Sequence, residues 1–287
     1  MRRILFVLFA SLAVRAAADD SPLKQQITGL FHDKKWSEAQ AALEKLTAAE
    51  PDNAEAFFYL GESFLYRDQG EPAVPPLEKA VALAPANSDY RRHLGDAYGL
   101  SAQQAGFFSK TGWALKCKAA YEKAVELDPK NVTARQSLLE FYRQAPGFAG
   151  GGMDLAYAEA AEIQKIDPVR GRLAYAGLYV GEKKYSEAFA IYEEILTTAP
   201  DDYAALYQIG RLAAVSGQRL DSGLAALRRC LKMTPPADQP GTAPTNWRLG
   251  NILEKKGDKA GARVAYEAAL KADPKFAQAI ESLKKLD

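Results

Sequence analysis

The sequence predicts an all-α chain of stacked helix pairs, on three observations. A helix–turn–helix unit recurs along most of its length. Alanine is abundant and β-branched residues are sparse, which favours helix throughout. Each copy closes on a proline, which ends one helix and orients the next. The chain has 287 residues, 48% hydrophobic and 25% charged, long enough for one large domain or two.

The clearest unit runs from Ala54 to Pro85. Phe57, Leu60, Gly61 and Phe64 share one helical face, as do Ala73, Leu77 and Ala80. Asp68–Glu71 separates the two helices. One such unit cannot bury both faces alone, so neighbours must stack on it. The expected copies are residues 20–53, 54–87, 88–131, 132–168, 169–202, 203–237 and 243–276. The first is weak, with Leu23, Ile27, Leu30, Trp36, Ala39 and Leu43 but no Leu-Gly pair, as suits a terminal repeat. The third has Leu94-Gly95 and Tyr98, then resumes at Cys117, Tyr121 and Ala124 after an insertion, 101–112. The fourth carries a shorter insertion, 146–152, in the equivalent turn. The seventh is as regular as the second, with Leu249-Gly250, Ala262, Tyr266 and Pro274. Residues 277–287 make an amphipathic capping helix ending in Lys284-Lys285.

The first 18 residues read differently. Arg2-Arg3, the apolar run Ile4–Val14 and Ala16-Ala17-Ala18 describe a secretory signal peptide, with the solenoid occupying 19–287. The expected location is therefore periplasmic or secreted, without stable membrane insertion once the signal is removed. Net charge is +1; removing Arg2, Arg3 and Arg15 leaves 34 basic against 36 acidic residues. With no basic block, nucleic acid and anionic membrane are poor expectations as partners.

The Leu-Gly pair followed by an aromatic, the Ala and aromatic of the second helix, and the closing proline resemble the tetratricopeptide repeat family, over residues 22–276. That resemblance implies a right-handed superhelical solenoid of about seven helix pairs, concave on the side of the first helices. The pattern has a packing reason. Gly61, Gly95, Gly210 and Gly250 let helices approach closely, and Ala73, Ala156, Ala188 and Ala262 answer from the second helix.

Little in the chain suggests catalysis. His32 and His93 show no metal-ligand spacing, and no nucleophile or zinc motif occurs. A catalytic set spread over Glu62, Asp96, Glu140 and Arg211 is the remaining enzyme reading, and no convergent acid, base and nucleophile are visible in it. The run Gly147–Gly152 lacks the Gly-Lys-Ser/Thr of a phosphate cradle and reads as a turn that Pro146 starts and Asp154 caps. Cys117 and Cys230 fall on core-facing positions too far apart to bridge, so two buried free thiols are expected. No cofactor or metal is expected.

The leading expectation is a non-enzymatic scaffold that holds a protein or peptide in its concave groove. Residues one and four positions off the core seam should line it: Phe58, Glu62, Arg92, Asp96, Gln136, Glu140, Tyr207, Arg211, Trp247 and Asn251. Relatives that grip the C-terminal carboxylate of heat-shock chaperones use a basic and asparagine clamp. Phe58, Tyr59 and Glu62, or Arg92, His93 and Asp96, stand in the comparable places, so that clamp looks absent. The alternative is an accessory subunit of an envelope or secretion assembly. Its contacts would lie on the edge formed by the two insertions, with Phe107, Phe108, Trp113 and Phe148. The same residues could instead cover one another and extend the core.

Overall fold

A computed structural model describes residues 22–33, 35–237 and 239–286. The expected signal peptide, 1–18, lies outside the described residues. Among those described there are fifteen α-helices, one 3-10 turn and no strand. In chain order they are α1 Pro22–His32, α2 Trp36–Ala49, α3 Ala54–Leu65, α4 Gly70–Leu83, α5 Ser88–Gln104, α6 Phe107–Leu127, α7 Val132–Gln144, α8 Met153–Ile166, α9 Pro168–Gly181, α10 Tyr185–Thr198, α11 Tyr203–Ser216, α12 Leu220–Cys230, α13 Thr242–Lys255, α14 Lys259–Ala272 and α15 Ala277–Leu286. The 3-10 turn, Gly147–Ala149, precedes α8. The helices form two compact units, which divide within α9 between Ala174 and Tyr175.

A side-chain cap two residues after the closing proline starts the first helix of four pairs. Asn53, Asn87 and Asn131 each accept the backbone N–H three residues on, at 3.0 Å. Asp202 does the same for Ala205 at 2.7 Å. Each side chain satisfies a helix N–H that has no intrahelical partner.

In the N-terminal unit, α3 packs on α4, α5 on α6 and α7 on α8. Ala73, Ala124 and Ala156 are wholly buried. A methyl placed on Gly61 would fall 2.4 Å from Leu77 Cγ, and one on Gly95 would fall 2.5 Å from the Tyr121 ring. Ile27, Leu43, Tyr59 and Leu60 continue the core toward the first repeat. In the C-terminal unit the same contacts recur between α11 and α12 and between α13 and α14. Gly210 meets Leu227 and Gly250 meets Tyr266. Phe189, Leu206, Leu212, Leu227 and Ile252 form its main core, and Tyr266 with Ala279 closes it against α15.

The longer insertion departs from expectation. It does not form a loop: it lengthens α5 and α6, leaving only Ala105 and Gly106 between them. The shorter one is the 3-10 turn and the glycines after it. Gly152 occupies the N-cap of α8 without a side-chain bond, and Asp154 lies within the first helical turn, so Asp154 is not the cap. Gly150 has φ +81°, and a methyl on Gly151 would collide with the Ala145 carbonyl. The glycine run is thus a packing requirement of the turn.

Cys117 and Cys230 are buried free thiols. Burial pushes the Cys230 thiol up to about 11 from 9.0 and also raises Cys117. As pH rises from 9 toward 11, the unfolded thiol loses its proton before the folded one does, so folding stability falls in that window. Urea midpoints should drop from pH 9 upward, and iodoacetamide at pH 8 should label neither cysteine until the chain is unfolded. The glycine contacts give a second expectation. Gly250→Ala drives a methyl into the Tyr266 ring and should cost about 1–3 kcal/mol in denaturant unfolding. Gly112→Ala, on α6 with nothing within 4 Å, should instead stabilise by roughly 0.5–1 kcal/mol.

Candidate functional site

The first helix of each pair presents a face that its second helix does not cover. In the N-terminal unit this face is carried by α3, α5 and α7, and most of its expected lining residues are already engaged. Phe58 stacks on Tyr90 with ring centroids 4.6 Å apart and meets His93 edge-on at 4.8 Å. His93 Nε2 stands 3.1 Å from Glu62 Oε1, and its Nδ1 lies 2.8 Å from the Asp89 carbonyl oxygen. Arg92 Nη1 donates to Asp96 Oδ2 at 2.7 Å. From the second helix behind, Tyr121 donates its hydroxyl to Asp96 Oδ1, also at 2.7 Å. Burial next to the Asp96 carboxylate holds the Tyr121 hydroxyl well above its ordinary pKa. Glu140 takes hydrogen bonds from Arg143 and Gln144, while Gln136 is half-buried. Deeper in the same unit Arg135 pairs with Glu159 at 2.7 Å.

Tyrosines also tie successive repeats together. Tyr98 donates to Glu78 at 2.6 Å and Tyr142 to Glu122 at 3.0 Å, each across twenty positions of chain. Burial, with the accepting carboxylate, raises both hydroxyl pKa values.

In the C-terminal unit the corresponding face belongs to α11 and α13, which pack side by side. Tyr207 departs from expectation: it is 5% exposed and part of the main core, so it cannot serve as an exposed aromatic anchor. Its ring lies inward because α11 is covered on both flanks by α10 and α13. Trp247 is half-buried, packs on Phe276 at 6.0 Å and donates its indole N–H to Ser282 at 3.1 Å. Asn251 accepts the Tyr266 hydroxyl at 2.8 Å, just as Asp96 accepts that of Tyr121. A shallow open depression adjoins it, lined by Ala214, Asn251, Glu254 and Lys255.

Two arginines distinguish this face. Arg211 donates to Gln208 at 2.7 Å. Arg248 stacks over the Trp247 ring at 4.3 Å, lies near Tyr207, and keeps a buried Nε without a partner. Among the described residues neither arginine pairs with a carboxylate. Burial pushes the Arg248 pKa down, and the nearby Arg211 charge adds to that, so the two cations repel across α11 and α13. Guanidinium stays protonated regardless, so the charge is uncompensated. Spacing on the helices points to Arg211, and to His93 beside Arg92 and Asp96, but not to Arg248 or Gln208. The missing signal was available: no acidic residue stands three or four positions from Arg211 or Arg248, whereas Arg92 has Asp96 and Arg143 has Glu140.

On the insertion edge, Phe108 is 97% and Phe148 77% exposed. Trp113 turns inward instead, 5.8 Å from the Tyr98 ring, and so extends the core. The Phe107 side chain lies outside the described part of the structure.

Comparison with known proteins bears on these helix pairs. Family models described as tetratricopeptide repeat match residues 33–88, 102–131 and 243–276. A stretch of 123 residues is 28% identical to cellulose synthase operon protein C of Pseudomonas fluorescens (strain SBW25). It covers 40% of this chain and 9% of that relative, so the chain spans less than a tenth of the relative's length. A tetratricopeptide repeat protein from Parabacteroides merdae ATCC 43184 superposes with TM-score 0.64 at 17% identity, over 92% of this chain and 97% of the other. Yeast Tom70 gives TM-score 0.66 at 14% identity, over 95% of this chain and 58% of Tom70. Similarity at these identities is one of fold.

The Asp96 cluster should behave as a unit. Asp96→Ala strips acceptors from both Arg92 and Tyr121 and should cost roughly 2 kcal/mol or more. Tyr121→Phe should cost about 1 kcal/mol. Urea unfolding of the double variant should show less than the summed loss, because both changes remove the same bond.

Proposed function

The chain belongs to the tetratricopeptide repeat family, and from that premise we propose that it is an exported, non-enzymatic scaffold holding a carboxylate-bearing segment of a protein partner on the α11–α13 face. Repeats of this family generally mediate protein–protein interaction, and the fold typically serves as a scaffold. The export part of the reading rests on Arg2-Arg3, the apolar run Ile4–Val14 and Ala16–Ala18.

One observation carries the choice of face: Arg211 and Arg248 are partly buried cations without a carboxylate partner. On the N-terminal unit's face, Arg92 and Arg143 are neutralised internally by Asp96 and Glu140. Uncompensated guanidinium groups are costly to desolvate and favour an incoming carboxylate, which each can bind through two parallel N–H bonds. Gln208 and Asn251 add amide groups beside them, and the Trp247 ring holds Arg248 flat. Phe58, Glu62 and Asp96 then act in packing and in the internal polar cluster, which leaves Gln136 and Glu140 as the N-terminal unit's more open lining.

A labelled oligoglutamate peptide should bind the wild-type protein in fluorescence anisotropy, and about 0.5 M salt should weaken it. Arg211→Ala/Arg248→Ala should reduce binding at least tenfold, roughly 1.4 kcal/mol. Equal binding by wild type and this variant would remove the arginine face from consideration. Crosslinking in intact cells followed by mass spectrometry would then identify the natural partner.

A further inference from the structure

Whole-chain charge conceals a local asymmetry. From Ala97 to Tyr121 the sequence has three lysines, Lys110, Lys116 and Lys118, and no acidic residue. This stretch forms the extended end of α5 and most of α6, the longest helix of the protein. Along α6, Phe108, Gly112, Leu115 and Ala119 are all exposed, at spacing four, three and four, and so form one continuous stripe. At about 100° per residue, Lys116 and Lys118 stand on opposite flanks of that stripe. The 3-10 turn packs against α6, and Lys118 passes over Gly150, which brings Phe148 to the same edge.

We propose that this edge docks the protein peripherally on an anionic lipid surface, with Phe108 and Phe148 entering the headgroup–acyl boundary and the lysines facing lipid phosphate. An exposed apolar stripe flanked by lysines, on a helix whose other face is buried through Cys117, Ala120, Tyr121 and Ala124, can rest against a membrane interface without spanning it. Size points the same way. A phenylalanine buries about 150–250 Å², so two of them and half a leucine supply roughly 350–600 Å². A stable protein interface takes about 800 Å² from each partner. A second copy of the chain fits poorly as well, since a two-fold contact would set the lysines of one edge against those of the other. Lys116 also lies over the Trp113 ring at 4.8 Å, and Lys118 pairs with Glu122 at 3.3 Å; both contacts hold the stems along the edge.

Co-sedimentation with phosphatidylcholine vesicles containing about one third phosphatidylglycerol tests this directly. The wild-type protein should pellet with them, and at least about tenfold less with phosphatidylcholine alone or in roughly 0.5 M salt. Phe108→Ser/Phe148→Ser should lose at least about tenfold in vesicle affinity with unchanged helicity and Tm, because neither ring is buried. Lys116→Gln/Lys118→Gln should flatten the dependence on phosphatidylglycerol. Failure of wild type to pellet with the anionic vesicles, or equal pelleting by the phenylalanine variant, would overturn the proposal. So would a dimer in sedimentation velocity that Phe108→Ser/Phe148→Ser dissociates, which would assign the edge to a second copy.

Discussion

The contact between a glycine on one helix and a bulky side chain on its partner governs four of the pairs, at Gly61, Gly95, Gly210 and Gly250. Leu77 reaches the backbone of α3 at Gly61, and Tyr266 reaches that of α13 at Gly250. A Cβ at either position would sit closer than van der Waals contact allows. The small residues therefore set the distance between helices, and every polar contact on the uncovered face depends on that distance. Tyr121 illustrates the dependence. Its ring lies across Gly95, and the same placement delivers its hydroxyl to Asp96, the next residue along. Tyr266 repeats this with Gly250 and Asn251. One packing device thus also decides which face residues remain free.

The two units use their faces differently for reasons of charge. In the N-terminal unit Arg92 pairs with Asp96 and Glu62 with His93, so the charges face opposite neighbours, while the Arg92 Nε stays buried without a partner. Such a surface is rigid and offers little net field. In the C-terminal unit, the positions equivalent to the acids hold Arg211 and Asn251, and Arg248 joins them. Desolvation there works against cations with no counter-charge, so binding energy is available to an anion. The insertion edge follows a third logic, in which apolar side chains are left exposed beside lysines.

Helix pairs, their closing prolines and the capping helix were legible because amphipathic spacing is a local property. The core glycines and alanines were legible for the same reason, since only small residues suit a close approach. Site residues were harder to read. Spacing places Tyr207 one step off the core seam, yet packing by α10 and α13 buries it. Phe108 stands in the longer insertion and Trp113 directly after it, yet Trp113 packs on Tyr98 while Phe108 is exposed. A residue's distance from the seam sets its angle on the helix, but neighbours decide whether that angle meets water.

What the sequence determined by itself was the repeat, its period, and the residues that must be small. Those follow from backbone geometry and from the volume available between two helices. Only the tertiary structure decided which polar groups on the exposed faces are already spent. Asp96 is paired with Arg92 at i−4 and accepts a hydrogen bond from a tyrosine of another helix, and the second partner is invisible to any local reading. Arg248 is significant for the opposite reason: folding carries its guanidinium near Tyr207 and Arg211, distant in the chain, and among the described residues it pairs with no carboxylate. Charge compensation is a sum over neighbours in space, and the chain alone supplies only the neighbours along it.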